Sequence, residues 1–312
     1  MRTARKITAV ALFTAAIIAG AVLSVKSSAS FLQPTGKLSV AASIYPVYFF
    51  ASEIGDNKAE VIDVTPAGVE PHDYEPTAAD MRKIENSRLV ILNGVIEPWA
   101  GQLQQNIDQN RTMIVIAGQS LTNRLSEENG SNVTDPHVWL DPKLAEKMVI
   151  KILQGFVQAD SLNADYYRQR AATLVLELDK LDAAYRSGLS ECSEKDIITS
   201  HAAFGYLAAE YGLNQVSIAG LSPDTEPSPR QLVDLATFAK TNDIKYIFFE
   251  SLASPKLSLT LANEIGAKTL VLDPIEGLTK DEMDAGQDYF SLMESNLANL
   301  KIALGCNPVV EF

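Results

Sequence analysis

Three histidines, His72, His137 and His201, are the only ones in the 312-residue chain. His72 lies in residues 71–77 (PHDYEPT), and His137 lies in residues 135–142 (DPHVWLDP), where prolines on both sides restrict the backbone. Imidazole is the commonest side-chain ligand for metal ions and also serves in acid–base catalysis. A lone histidine is usually a surface or core residue, but three in rigid loops favour a shared metal site.

The histidines and one aspartate lie at or just beyond the ends of predicted strands. His201 follows the apolar run at residues 196–199, and Asp273 ends the run at residues 269–272. Open α/β sheets bind ligands at the carboxyl ends of their strands. Three imidazoles and a carboxylate suit zinc and are acceptable to other first-row ions. We therefore predict a metal site at these positions, although Asp273 also fits a turn-initiating Asp-Pro.

Three acidic residues near the histidines are candidates for orienting them. Glu75 and Asp141 are close in sequence to His72 and His137, and Glu250 ends an apolar run at residues 246–249. A carboxylate that accepts the imidazole N–H fixes the tautomer that leaves the other nitrogen for the metal. Helix capping or a solvated surface position is the alternative for Glu75 and Asp141. Glu250 could also act as a substitute ligand.

Apolar runs rich in β-branched residues alternate with amphipathic helical stretches from residue 38 onward. This alternation is typical of βα units packed on a mainly parallel sheet. An uninterrupted helical pattern at residues 164–189 divides the strands into two sets of four. The predicted strands are residues 38–43, 60–64, 89–92, 113–116, 196–199, 215–218, 246–249 and 269–272.

We therefore predict an α/β protein of two lobes, each with a four-stranded, mainly parallel sheet and flanking helices, joined by one long rigid helix. The predicted boundaries are residues 38–160 for the first lobe, 161–189 for the linking helix and 190–312 for the second lobe.

The N-terminal segment, residues 1–29, has the pattern of an export signal. Arg2, Arg5 and Lys6 precede an apolar run at residues 7–25, and small residues follow it. An uncleaved membrane anchor is the alternative. No cysteine follows the segment, so we expect no lipid anchor and an extracytoplasmic location in the periplasm or at the outer face of the plasma membrane.

The chain has two cysteines, Cys192 and Cys306, and neither is part of a C-x-x-C motif. An isolated pair outside the cytoplasm favours a disulfide over a metal site. The formal net charge is −13, which argues against nucleic acid and other polyanions as partners. An acidic surface suits cation capture, but it suits solubility equally well.

Several ordered motifs resemble the zinc and manganese solute-binding proteins of bacterial ABC importers (the cluster A-I family). The resemblance runs from about residue 38 to the C-terminus. The motifs are residues 71–77 (PHDYEPT), 93–94 (NG), 97–99 (EPW), 135–142 (DPHVWLDP), 200–206 (SHAAFGY), Pro223, 226–229 (EPSP) and 272–278 (LDPIEGL).

The resemblance implies two α/β lobes with one divalent ion in the cleft between them, held by His72, His137, His201 and Asp273. In manganese-type members the third ligand is usually glutamate, so His201 indicates the zinc type, with manganese as the alternative. The implied function is capture of zinc and its delivery to an ABC permease with its ATPase. We expect a monomer and no enzymatic activity.

Two other functions compete with this interpretation. Three protein ligands plus a water would make a zinc hydrolase, but the chain has no H-E-x-x-H motif, nucleophile elbow or phosphate-binding glycine loop. A surface-interaction protein with a purely structural metal is the second. Residues 118–135, where many zinc-type members carry a histidine-rich loop, contain no histidine.

Overall fold

The computed structural model describes residues 36–128 and 131–306, so the predicted signal at residues 1–29 lies outside the described residues. The strands are β1 (Leu38–Ala42), β2 (Ala59–Asp63), β3 (Leu89–Leu92), β4 (Met113–Ile116), β5 (Leu125–Glu128), β6 (Ser131–Thr134), β7 (Asp196–Thr199), β8 (Asn214–Ser217), β9 (Tyr246–Phe249) and β10 (Lys268–Val271). The helices are α1 (Tyr45–Gly55), α2 (Ala78–Asn86), α3 (Ala100–Asn106), α4 (Pro142–Ala159), α5 (Ala164–Leu189), α6 (Gly205–Tyr211), α7 (Pro229–Thr241), α8 (Lys256–Ile265), α9 (Lys280–Asp284) and α10 (Tyr289–Ala303).

Two four-stranded parallel sheets form the centres of two lobes. Their strand orders are β2-β1-β3-β4 and β10-β9-β7-β8, with every pairing parallel. In each lobe the first strand lies between the second and the third, so the two lobes share one topology. The chain changes direction across the sheet between β1 and β3 and between β7 and β9. Such switch points open ligand crevices at the carboxyl ends of the strands. The predicted fold class is confirmed.

Helix α5 is the long element between the two lobes and has the bounds of the helical pattern at residues 164–189. The predicted linking segment began three residues earlier, and residues Ser161–Asn163 form a separate 3-10 helix. Its 26 residues span about 39 Å at ~1.5 Å per residue. It packs against α1 and α4 of the first lobe and against α10 of the second. The residues it buries recur at helical spacing and include Tyr167, Leu174, Leu178, Leu181 and Tyr185. A helix anchored in both lobes holds them as a rigid strut.

The lobes also share one apolar core. Tyr289 at the start of α10 stacks on Phe49 with ring centroids 5.7 Å apart and meets Phe50 edge-on at 4.9 Å, both on α1. The Tyr289 hydroxyl donates a hydrogen bond of 2.6 Å to the carbonyl of Trp139. Aromatic packing of this kind adds to the stability gained from buried area. The contacts fix the second lobe against the loop that carries His137.

A disulfide joins Cys192, which follows α5, to Cys306, which follows α10. The predicted pairing is thereby confirmed. Within the described ranges, no helix is both long enough and apolar enough to cross a membrane. Part of the polar stretch at residues 118–135 forms an antiparallel hairpin of β5 and β6, with Leu125 opposite Thr134.

Candidate metal centre

Four side chains from four loops converge between the lobes. His72 lies in the loop after β2, and His137 lies between β6 and a 3-10 turn at Val138–Leu140. His201 comes two residues after β7, and Glu276 lies in the loop after β10. One ligand atom from each of these four residues lies within 4.8 Å of the other three. Each lobe therefore supplies two of the four groups.

The converging atoms are three imidazole Nε2 atoms and one carboxylate oxygen. His72 Nε2 lies 3.3 Å from His137 Nε2 and 3.3 Å from Glu276 Oε1. His201 Nε2 lies 3.4 Å from both His137 Nε2 and Glu276 Oε1, and His137 Nε2 lies 2.9 Å from Glu276 Oε1. Side chains of His137, His201 and Glu276 are fully buried, whereas that of His72 is 11% exposed. His72 therefore marks the side of the site nearest to solvent.

These separations match those of a tetrahedral zinc site. Zinc binds nitrogen and oxygen at about 2.0–2.1 Å, which places the ligand atoms of a tetrahedron about 3.3–3.4 Å apart. Four of the five measured separations have these values. The second oxygen of Glu276, Oε2, is buried without a hydrogen-bond donor, a costly state that a cation would relieve. The donor set fits one divalent ion.

Two further carboxylates face the outer nitrogens of the buried histidines. Asp135 Oδ1 accepts hydrogen bonds from His137 Nδ1 at 2.8 Å and from the His137 backbone N–H at 2.9 Å. Glu250 Oε2 lies 2.7 Å from His201 Nδ1 and forms an ion pair with the protonated imidazole. The angle at Nδ1 does not meet the geometry of a hydrogen bond. Both contacts favour a proton on Nδ1. They leave the Nε2 lone pairs for a metal.

The electrostatics of the site favour a cation. Burial disfavours the charged forms of His137 and His201, but the carboxylates beside them outweigh it and raise the pKa of both imidazoles. Burial likewise opposes ionisation of Glu276, yet the charges of His201 and His72 hold its pKa well below the usual range. Burial and the charge of Glu276 raise the pKa of nearby Glu70 to about 9. Glu276 is therefore ionised at neutral pH and Glu70 is protonated.

The structure does not bring Asp273, the predicted fourth ligand, into this group. Asp273 Oδ1 accepts a hydrogen bond of 2.7 Å from the Ile275 backbone N–H, and its Oδ2 accepts one from the Ser251 hydroxyl. The position is taken by Glu276, which sequence reasoning missed although it lies in the same motif, residues 272–278. Asp273 therefore stabilises a turn, which is the alternative role that the sequence analysis gives it. The sequence did contain a signal for the other candidate, because Glu276 is a second acidic residue three positions after Asp273 in the same motif.

The other sequence candidates divide in a similar way. Glu250 contacts a site histidine as predicted, and Asp135 does so without having been proposed for this role. Asp141 instead accepts a hydrogen bond of 2.8 Å from the Lys143 N–H and caps α4. Glu75 is exposed, and no hydrogen bond between it and a histidine occurs in the described ranges. Trp139 is fully buried and packs against His137 at 5.2 Å between ring centroids.

Fold and site together define a two-lobed protein that can hold one divalent transition-metal ion between its lobes. The family described as "ZnuA: Zinc-uptake complex component A periplasmic" matches residues 40–303. The chain belongs to this family.

Two relatives of known function are similar to the chain. The high-affinity zinc uptake system protein ZnuA of Bacillus subtilis (strain 168) is 42% identical over 280 residues, which cover 86% of this chain and 88% of that protein. The zinc-binding protein AdcA of Streptococcus pyogenes serotype M18 is 38% identical over 288 residues, which cover 86% of this chain and 56% of AdcA. The chain thus matches nearly all of the first relative and about half of the second.

Solved structures show the same likeness. The Zn(II)-bound ZnuA-like domain of Streptococcus pneumoniae AdcA has a TM-score of 0.75 and 39% identity, covering 86% of this chain and 99% of that domain. The laminin binding protein Lmb of Streptococcus agalactiae, described as a bifunctional protein with adhesin and metal transporting activity, has a TM-score of 0.77 and 30% identity, covering 86% and 99%. The two-lobed architecture with a long connecting helix is common to this group.

Proposed function

We propose that this chain captures zinc outside the cytoplasm and delivers it to an ABC permease with its ATPase for import. The observation that carries the proposal is the convergence of His72, His137, His201 and Glu276 Oε1 at tetrahedral separations between two lobes. We assign these four residues as the zinc ligands. The zinc-uptake family and the zinc-bound structure of a relative support the choice of metal.

The donor set supports zinc over manganese. Three neutral imidazoles and a single carboxylate suit a small, borderline ion with low coordination number. Manganese prefers more oxygen donors and a larger coordination sphere. In the manganese-type proteins that the motifs also resemble, glutamate usually stands where this chain has His201. Manganese is the alternative that a metal competition would reveal.

The same donor set supports transport rather than catalysis. Catalytic zinc sites keep a coordination position for water, whereas four protein donors at tetrahedral positions fill the coordination sphere. We therefore propose that the protein is not an enzyme. We further propose that it acts as a monomer, with lobes at residues 38–160 and 190–312 and a linking helix at residues 161–189.

The proposed location is extracytoplasmic. Support comes from the export pattern of residues 1–29, from the family description as periplasmic, and from the Cys192–Cys306 disulfide, since disulfides persist in oxidising compartments.

The direct test replaces the proposed carboxylate ligand and compares it with a matched surface variant. Glu276→Gln removes the negative charge at the centre of the site and replaces one carboxylate oxygen by an amide nitrogen, whereas Glu75→Gln makes the same change at an exposed position near His72. Zinc affinity is measured by competition with a chromophoric chelator at pH 7.5, and coordination is followed by the visible absorption of bound Co²⁺. We expect Glu276→Gln to weaken zinc binding and alter the Co²⁺ spectrum, and Glu75→Gln to do neither. Equal behaviour of the two variants would refute the ligand assignment.

A further inference from the structure

Ile275, the residue before the proposed ligand Glu276, has an unusual backbone conformation. Its φ is +58°, in the left-handed region, and its side chain is fully buried. Four non-glycine residues in the described ranges have positive φ, and Ile275 is the only β-branched one. Crowding between the Cβ branches and the backbone makes this region strongly disfavoured for such a residue. Strain of this kind persists where surrounding contacts enforce it, and it clusters at functional sites.

Each of the three residues from Asp273 to Ile275 is held by a hydrogen bond. Asp273 Oδ1 accepts the Ile275 N–H at 2.7 Å. Asn296 on α10 binds both backbone groups of Asp273, accepting its N–H at 2.8 Å and donating to its carbonyl at 2.7 Å. The Trp139 indole N–H donates to the Pro274 carbonyl at 2.7 Å. The last contact joins the His137 loop to the Glu276 loop.

The conformation of Ile275 decides where Glu276 points. A return of φ from +58° to the usual negative region turns the backbone that follows by more than 90°. The Glu276 carboxylate would then leave the three Nε2 atoms, which it now approaches within 2.9–3.4 Å. The hydrogen bond from the Ile275 N–H to Asp273 Oδ1 fixes the peptide plane on the N-terminal side of this φ bond, and the buried Ile275 side chain restrains the Cα on the other side.

We propose that Asp273 is a positioning residue: its carboxylate anchors the peptide plane from which Ile275 turns into the left-handed conformation, and thereby places Glu276 Oε1 among the three histidines. The inference rests on the proposed function, because it takes Glu276 as a ligand. Asp273 acts through the turn and does not touch the ion. Both of its carboxylate oxygens accept hydrogen bonds, Oδ1 from the Ile275 N–H and Oδ2 from the Ser251 hydroxyl.

Substitutions at Asp273 separate this role from that of a ligand. Asp273→Asn keeps an oxygen that can accept the Ile275 N–H, since asparagine and aspartate form the same kind of turn. Asp273→Ala removes it. We expect zinc affinity of the Asn variant to stay within about threefold of the parent, and that of the Ala variant to fall about 10–100-fold, as is typical when a contact that orients a ligand is lost. A loss of tenfold or more in the Asn variant would overturn the proposal.

The substitution Ile275→Gly separates positioning from general destabilisation. Glycine adopts positive φ without steric cost. In a variant that also lacks the Asp273 carboxylate, the backbone therefore has no steric strain to relieve by turning Glu276 away from the histidines. The substitution also deletes a buried side chain and lowers stability. We therefore expect Asp273→Ala with Ile275→Gly to bind zinc at least about fivefold more tightly than Asp273→Ala alone, while unfolding at a lower temperature. Affinity that falls further in the double variant would overturn the proposal.

The zinc affinity of Glu276→Ala, measured in parallel, distinguishes the ligand role of Glu276 from the positioning role of Asp273. If this variant binds zinc as tightly as the parent, the ligand assignment fails whatever the Asp273 variants do. If it loses zinc while Asp273→Ala retains parental affinity, the positioning role alone is overturned. Should the Ala variant of Asp273 not fold, the Asn variant decides the question by itself, since retained affinity supports positioning and lost affinity supports direct ligation.

Discussion

Zinc affinity should depend on Asp135 because this residue holds His137 in the metal-binding tautomer. Its Oδ1 accepts both the ring Nδ1–H at 2.8 Å and the backbone N–H at 2.9 Å of His137, and the residue is 3% exposed. Asp135→Asn keeps the acceptor oxygen but removes the charge. Asp135→Ala removes both. The pair of variants therefore separates the contribution of the charge from that of the contact.

The expected magnitudes follow from the strength of these hydrogen bonds. A bond to a charged group contributes about 1.5–3 kcal/mol and a neutral one about 0.5–1.5 kcal/mol. Loss of the charge alone therefore costs about 1–1.5 kcal/mol, which corresponds to a roughly tenfold weaker affinity. Loss of the contact leaves the ring N–H buried without an acceptor and frees the imidazole to turn. We expect a loss near the upper end of the 10–100-fold range for Asp135→Ala.

The assay is zinc titration against a competing chelator at pH 7.5 and fixed ionic strength. Asp141→Asn is the matched control, because Asp141 belongs to the same motif and is also buried, but it caps α4 through the Lys143 N–H. Asparagine is an equally good cap, so this variant should bind like the parent. If Asp135→Ala binds within twofold of the parent, or if the Asp141 control loses as much affinity, Asp135 does not orient His137 and the reasoning fails.

Three further outcomes are expected. His201→Glu should narrow the zinc-over-manganese ratio in competition calorimetry, because an oxygen donor replaces an imidazole, and an unchanged or wider ratio would contradict the zinc assignment. Carboxylates raise the pKa of His137 and His201 in the metal-free site, so protons should compete with zinc at pH values above the ordinary imidazole range. Zinc affinity should therefore fall steadily from pH 7.5 to 5, and an affinity that stays constant over this range would contradict the reasoning. The Cys192–Cys306 bridge spans 114 positions, so replacing both residues by serine should lower the free energy of unfolding by about 4–5 kcal/mol, and an unchanged denaturation midpoint would count against that magnitude.

Much of the architecture could be predicted from local patterns. Strands β3, β4, β7 and β9 begin and end at the predicted residues, and the other strands of the two parallel sheets differ by a single residue at one or both ends. Helix α5 begins and ends where its apolar spacing predicted. These elements are buried along one face or on all sides, so the spacing of their apolar residues is set by their position in the fold. The histidines were recognisable because only three occur, each in a loop beyond a predicted strand.

Tertiary structure distinguished Glu276, the proposed fourth ligand, from Asp273. Asp273 and Glu276 are both acidic and both lie in the loop after β10, so spacing alone did not distinguish them. Glu276 follows the left-handed Ile275. The loop before it is held by Asp273 itself and by hydrogen bonds from Asn296 and Trp139, which are distant in sequence. No local pattern encodes such a combination.

Tertiary packing likewise selected the carboxylates that orient the histidines. Asp135 and Asp141 flank His137 in one motif, and either could reach it from an extended loop. The 3-10 turn at Val138–Leu140 directs Asp141 to the first turn of α4, while Asp135 lies beside the ring. Residue types in the sequence therefore determined which chemistry was available to this protein. The folded chain decided which oxygens meet which nitrogens, because that depends on backbone angles set by contacts between the two lobes.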